Sequence, residues 1–315
     1  MNTQEPGISL DIMDHPKTVN YTKYDVALFM GFDQTASLAK AENPSIITGV
    51  IEPRSAQNNS FDDVDFIVVN GIELKDFFSK YHKKSILYYA YPEVPKKLEC
   101  PREKSRLVLG YHGNLIHLDA MYPRIIEAIE RLNKETPVEL WAMYNIKKMG
   151  LWQCPKHHKL KFPVIHCQHS NENYARYMAH VDIGLVPQFI PVRENKILRL
   201  LIGSVDNRYN ERTDNYFLRF KETTNIGRHL VFAQYKIPVV SDMSPSACSF
   251  IEDCYNSFVA NSSDGWYSTL KTLAEDKEMR KSMGERLYSK YKKVATIELL
   301  NQRLITHLKR LKHAY

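Results

Sequence analysis

Short continuous apolar runs alternate along the chain with stretches whose apolar residues recur every three or four positions. The first pattern suits strands buried on both faces; the second suits helices with one side laid on a sheet. In residues 1–100 the strand-like runs are "YDVALFM" (24–30), "SIITGVI" (45–51), "VDFIVVN" (64–70) and "SILYYA" (85–90). Helical spacing marks "QTASLAKAE" (34–42) and "GIELKDFFSKYH" (71–82). Strands that alternate with helices need crossover connections, which make a largely parallel sheet. This half is small for a complete Rossmann-like domain.

The segment "YPEVPKKLECPREKSR" (91–106) has prolines and charges without periodicity and reads as a linker. A second alternating series follows. "LVLGYHG" (107–113) is a strand ending in a glycine turn, and "LDAMYPRIIEAIERLNKE" (118–135) reads as one amphipathic helix with Pro123 in its first turns. "VELWAMY" (138–144), "FPVIHC" (162–167) and "DIGLVP" (182–187) are strands; "SNENYARYMAHV" (170–181) opens a helix with good N-cap residues. The pattern fails over 188–219, a length that usually marks a functional loop. A short helix over 244–253, a strand at 257–260 and helices to Tyr315 complete the chain. The expected organisation is a first domain over 1–100, a second over 101–294 and a C-terminal helix over 295–315 that crosses back to the first.

Composition narrows the class. The 315 residues suffice for two domains, and 43% hydrophobic with 25% charged residues is the balance of a folded globular protein. No apolar run approaches the roughly 20 residues of a membrane span, and the N-terminus lacks the apolar core of a signal peptide. The expectation is a cytoplasmic protein, with the basic helices near the C-terminus as the surface for any peripheral membrane contact. Five cysteines in unpatterned positions do not suggest a disulfide framework. The formal net charge of +7 favours anionic partners, and no nucleic-acid-binding motif accompanies it. "CPKHHKLKFPVIHCQH" (154–169) gathers cysteines and histidines, but its spacing fits no standard zinc pairing, so no metal is expected.

The candidate chemistry lies in "FKETTNIGRHLVFAQYKIPVVSD" (220–242). In an open parallel sheet ligands bind where strands end and helices begin, and a helix N-terminus suits phosphate. Thr224 or Asn225 would cap this helix, and Gly227 would let backbone approach closely. Lys221 and Arg228 would supply full charges, with arginine able to bind phosphate in a bidentate way. Both cations are expected to be exposed, so that alanine at either weakens ligand binding with little loss of fold. A capped helix carrying two solvated cations is the plain alternative. "GYHGN" (110–114) also joins a strand to a helix, and two such sites in one domain favour a nucleotide diphosphate.

The order "DIGLVP … FKETTN.GR … KIPVVSD … IEDCYNSFVA … W…L..L..D..MR..MGER" resembles glycosyltransferases of the GT-B fold, the family 4-like group, over about residues 105–290. That resemblance implies an α/β architecture of two Rossmann-like domains with parallel sheets facing a central cleft, the N-terminal one reduced. It implies a nucleotide-sugar donor on the second domain and a glycan or lipid-linked acceptor on the first, as in polysaccharide biosynthesis, with no cofactor and no metal. Gly113, Asn114, Lys221, Thr224, Asn225 and Arg228 would surround the diphosphate and sugar, and the strand end at His166 and Cys167 would lie near the nucleobase. Two features depart from the family pattern. The positions of its paired glutamates hold Thr223 and Val231, with Glu222 one residue away. The Arg and Lys usual after the glycine turn are replaced by a stretch offering only His112 and His117. Asp14 and His15 are the candidates for a catalytic base. An NDP-sugar epimerase of the same fold and a non-catalytic nucleotide-sugar-binding module are the alternatives.

Overall fold

The structure, a computed structural model, describes residues 8–15, 18–31, 34–53, 61–79, 84–94, 105–189, 214–215, 220–221 and 225–312. The chain divides into two compact units, Met1–Tyr89 with Thr296–Tyr315, and Ala90–Ala295.

In the first unit β1 (Val26–Met30), β2 (Ile47–Ile51), β3 (Phe66–Val69) and β4 (Ser85–Leu87) form one parallel sheet in sequence order. Helices α1 (Ala36–Glu42) and α2 (Ile72–Ser79) supply crossovers. One sheet face packs Val50, Ile67 and Val69 against Ala39, Phe61 and Phe78. The other face presents Ile47, Phe66 and Val68, which pack on Leu304 and Leu311 of the C-terminal helix Ile297–Lys312. That double cover explains why these strands read as continuous apolar runs. Tyr88 Oη donates to Asn301 Oδ1 at 2.8 Å and adds a polar tie to the same helix.

The second unit holds a six-stranded parallel sheet of β5 (Leu107–His112), β6 (Val138–Tyr144), β7 (Val164–Gln168), β8 (Ile183–Val186), β11 (Val239–Asp242) and β12 (Phe258–Ala260). Its order is β12-β11-β8-β5-β6-β7, so the direction of winding reverses between β5 and β8. Two short segments, β9 (Asp214–Asn215) and β10 (Phe220–Lys221), pair antiparallel outside this sheet. Eight helices among the described residues connect or follow the strands. They are α3 (Leu115–Asp119), α4 (Arg124–Asn133), α5 (Ile146–Met149), α6 (Asn171–His180), α7 (Gly227–Gln234), α8 (Pro245–Phe250), α9 (Ser263–Glu275) and α10 (Lys277–Val294). The main core joins Leu109, Leu140, Leu185 and Val240 of the sheet to Ile125, Ile129 and Leu132 of α4 and Trp266 and Leu270 of α9.

Local chemistry sets most helix starts. Ser170, Ser244, Ser262 and Asp276 each accept the backbone N–H three residues on, the usual N-cap bond. The single helix expected over 118–135 is two. It breaks after Asp119 and restarts at Arg124, with Pro123 as N-cap rather than inside a turn. Proline has no N–H to give a preceding turn and disfavours helical backbone at the residue before it. The strand expected to reach residue 90 stops at Leu87. The 188–219 stretch lies outside the described residues apart from 188–189 and the pair 214–215. Among the described residues no helix is long and apolar enough to cross a membrane.

Candidate functional site

The C-terminal ends of β5 and β8, either side of the switch point, and the first turn of α7 supply the residues of the site. This is where an open parallel sheet leaves a crevice, because its connections depart in opposite directions. β5 ends in His112 and turns at Gly113, whose φ of +144° belongs to glycine. A side chain there would press on the Tyr111 hydroxyl at 2.8 Å and on Arg228 Cδ at 3.3 Å. Tyr111, fully buried, donates its hydroxyl to the Asn114 carbonyl at 2.5 Å and so fixes the turn. Asn114 is the N-cap of α3, and its side chain makes no capping bond.

At α7 the cap differs from the expectation. Ile226 occupies the N-cap position without a side-chain bond, while Asn225 Oδ1 accepts the Gly227 N–H at 2.9 Å. Thr224 lies outside the described residues; the backbone of Lys221 belongs to β10 and its side chain is not described. Gly227 does permit a close approach, but by protein: a Cβ there would sit 3.0 Å from the Ala90 carbonyl. The first-turn N–H groups of Arg228 and His229 point out of the helix end, as those of any helix do.

Arg228 is the unusual residue. Contrary to the expectation of an exposed cation it is only partly accessible, and its Nη1 is buried without a hydrogen-bond partner. Nη2 reaches His117 Nδ1 at 3.4 Å, a long contact. No carboxylate pairs with it among the described residues. Burial lowers the guanidinium's pKa, opposed by the nearby Tyr111 hydroxyl and the Asp242 carboxylate. Arginine nevertheless stays charged in proteins, so a cation sits here with one face unsatisfied. Two neighbouring histidines add no charge. His112 and His229 are buried, and burial first, then the Arg228 charge, holds each near a pKa of about 3. His112 packs against the Phe232 and Tyr174 rings, and its Nε2 lies 3.4 Å from the Arg228 carbonyl.

A buried polar network fixes this arrangement, and the sequence reading did not single out its members. Asp242, at the end of β11, accepts the backbone N–H groups of Gln188 and Phe189 at 2.8 and 3.0 Å and the Trp266 indole at 3.2 Å. It also pairs with Arg124 at 2.7 Å, so its oxygens are fully used. The Gln188 amide then donates to the Asn225 carbonyl at 2.7 Å and accepts the Ser244 hydroxyl. The exit of β8 is thereby tied to the start of α7. The available signal was a polar residue just inside each apolar strand end, in "LVPQ" and "VVSDMS".

The other candidates belong to other elements of the fold. His166 and Cys167 lie on the edge strand β7 and are partly buried. The Tyr144 hydroxyl accepts the Trp152 N–H at 2.7 Å and lies 3.0 Å from His166 Nδ1. Burial lowers the His166 pKa. Burial pushes the Cys167 thiol up to about 11, which leaves it protonated and a poor nucleophile. Asp14 and His15 are exposed residues of irregular backbone in the first unit. Among the described residues no three His, Cys, Asp or Glu side chains gather as a metal-ligand set.

No protein-family model matches the chain, and no curated protein matches it. Solved structures do. A glycosyltransferase from Rickettsia africae aligns over 94% of this chain and 79% of its own, with TM-score 0.64 and 9% identity. Sucrose-phosphate synthase from Thermosynechococcus elongatus aligns over 93% and 75%, with TM-score 0.61 and 8% identity. The pneumococcal O-GlcNAc transferase GtfA, solved with UDP and GlcNAc, aligns over 91% of this chain at TM-score 0.56 and 12% identity; this chain spans 57% of GtfA. The two parallel-sheet units and these neighbours together establish the architecture: the chain has an α/β fold of the GT-B type.

Proposed function

We propose that the chain transfers a sugar from a nucleoside-diphosphate sugar to a glycan or lipid-linked acceptor, with the donor's diphosphate held between the Gly113 turn and the start of α7. One observation carries the reading: the Arg228 guanidinium is only partly accessible, has no carboxylate partner among the described residues and has no hydrogen-bond partner for Nη1. An isolated buried cation is costly, and a bound anion removes that cost. The Gly113 turn and the helix end add close backbone access and a favourable dipole. Neighbours of the fold have been solved with UDP bound, which agrees with this assignment.

The same group serves the reaction. As the sugar–phosphate bond breaks, charge grows on the departing diphosphate, and a fixed guanidinium in a water-poor setting stabilises it without reorganising. His112 and His229 stay neutral, so they shape the cation's surroundings without competing for the phosphate. Lys221 and Thr224 are the further donor contacts in this proposal. Transfer from a panel of UDP-, GDP- and ADP-sugars tests it. Arg228→Ala should lower kcat/KM for the active donor by roughly 100-fold or more, and Arg228→Lys should recover part of it. Equal rates in the parent and Arg228→Ala would refute the assignment.

A further inference from the structure

The exits of β1, β2 and β3 lie side by side in the first unit. β2 ends at Ile51, and the next residue, Glu52, has φ +48°, in the left-handed region that glycine occupies at little cost. The neighbouring exit follows that rule: Gly31 after β1 has φ +78° and donates its N–H to the Ile51 carbonyl at 2.8 Å. At position 52, however, the left-handed residue has a carboxylate. Its backbone is held by an N–H bond to the Val68 carbonyl at 2.8 Å, and its Oε1 accepts from Asn70 Nδ2, just past β3, at 2.6 Å.

This pairing uses one oxygen of the carboxylate and one end of the amide. Glu52 Oε2 and Asn70 Oδ1 have no protein donor among the described residues. Two neighbouring acceptors, one charged, at the carboxyl ends of parallel strands suit a ligand rich in O–H donors. Met30, the last residue of β1, is 65% exposed and pairs in register with Ile51, so an apolar surface adjoins the pair. Carboxylate and amide acceptors beside an apolar surface match a carbohydrate, whose hydroxyls ring an apolar C–H face. A non-glycine residue in a backbone conformation that glycine adopts more cheaply points to a job for its side chain.

We propose that Glu52 and Asn70 bind a polyol, the two free acceptor atoms taking adjacent hydroxyl protons of one sugar residue, with Glu52 deciding selectivity for hydroxyls over anionic groups. In the transfer reaction proposed above this sugar is the acceptor, and that role alone rests on the earlier reading.

The full chain is tested by saturation-transfer NMR with methyl α-glucoside, N-acetylglucosamine, glycerol and, as a cationic control, n-butylammonium, and by the melting temperature of each variant. Glu52→Gln and Asn70→Ala should each weaken a glycoside signal at least tenfold. Glu52→Gly should abolish it while raising the melting temperature, because the strain is relieved and only the binding role is lost. Glycoside signals indifferent to all three variants overturn the proposal, as does a binding preference for butylammonium. A lower melting temperature for Glu52→Gly with unchanged glycoside binding assigns the pair a purely structural role and also overturns it. Nucleotide binding is measured on the same samples: a glycoside signal that depends on Glu52 in a protein without nucleotide affinity sustains this site and defeats the donor assignment instead.

Discussion

Three basic residues crowd the strand-to-helix junction beneath Gly113, and only one of them is charged. His112 and His229 are held near a pKa of about 3, against 6.5 when unfolded, chiefly by burial. The sign follows: a depressed folded pKa means unfolding takes up a proton between pH 6.5 and about 3. Their contribution is complete above pH 6.5 and declines as pH falls through that window, by about 1.4 kcal/mol per pH unit for each histidine. His112→Phe keeps the packing against Phe232 and Tyr174 and removes one titration. Urea unfolding measured from pH 6.5 to 4 should lose one proton of pH dependence in this variant; an unchanged slope would show that His112 is not neutral when folded. The sequence displayed Arg228, Asn225 and Gly113 as candidates, because cations and a glycine between strand and helix are visible in one line of text. It did not display that Arg228 is enclosed. That depends on Tyr111, His117 and Gly113, more than a hundred positions earlier, brought to α7 by sheet order.

Among elements, the apolar runs marked nearly every strand, since burial on both faces leaves little choice of residue. Helix ends were legible where serine or aspartate caps them and illegible at Asn225, which bonds Gly227 from outside the assigned cap. Helix α10 shows where local propensity misleads. Gly284 lies in its interior, where alanine would ordinarily favour the helix by about 0.8–1 kcal/mol. A Cβ at 284 would stand 1.9 Å from the Lys236 carbonyl oxygen, at the turn that follows α7, so backbone would have to move. Gly284→Ala should therefore destabilise the protein, by about 2 kcal/mol, the usual cost of overpacking. Denaturant midpoints decide it: a gain in stability would mean that α10 and the α7 turn are not in close contact.

At the scale of the molecule, the first unit draws on both ends of the chain. Leu304 and Leu311 cover the sheet face made by Ile47, Phe66 and Val68, and Lys312 pairs with Asp25 at 2.9 Å. The C-terminal stretch reads in sequence as an amphipathic basic helix; which surface takes its apolar stripe is fixed only by the fold. Leu304→Ala removes part of that cover and should cost about 2 kcal/mol or more. Hydrogen exchange should accelerate in β2 and β3 and stay unchanged in β5 and β6, since the second unit has its own core. Equal acceleration in both units would mean that the chain unfolds as one.

The central claim is that Arg228, a partly buried cation whose Nη1 has no hydrogen-bond partner, binds a diphosphate. Calorimetric titration of UDP and GDP into the parent and into Arg228→Met, with the melting temperature of each free protein, tests it most directly. The account predicts that methionine raises the melting temperature of the ligand-free protein, because an uncompensated charge is gone, and weakens nucleotide binding by at least tenfold. Nucleotide affinity retained by Arg228→Met, together with a lower melting temperature, would contradict it.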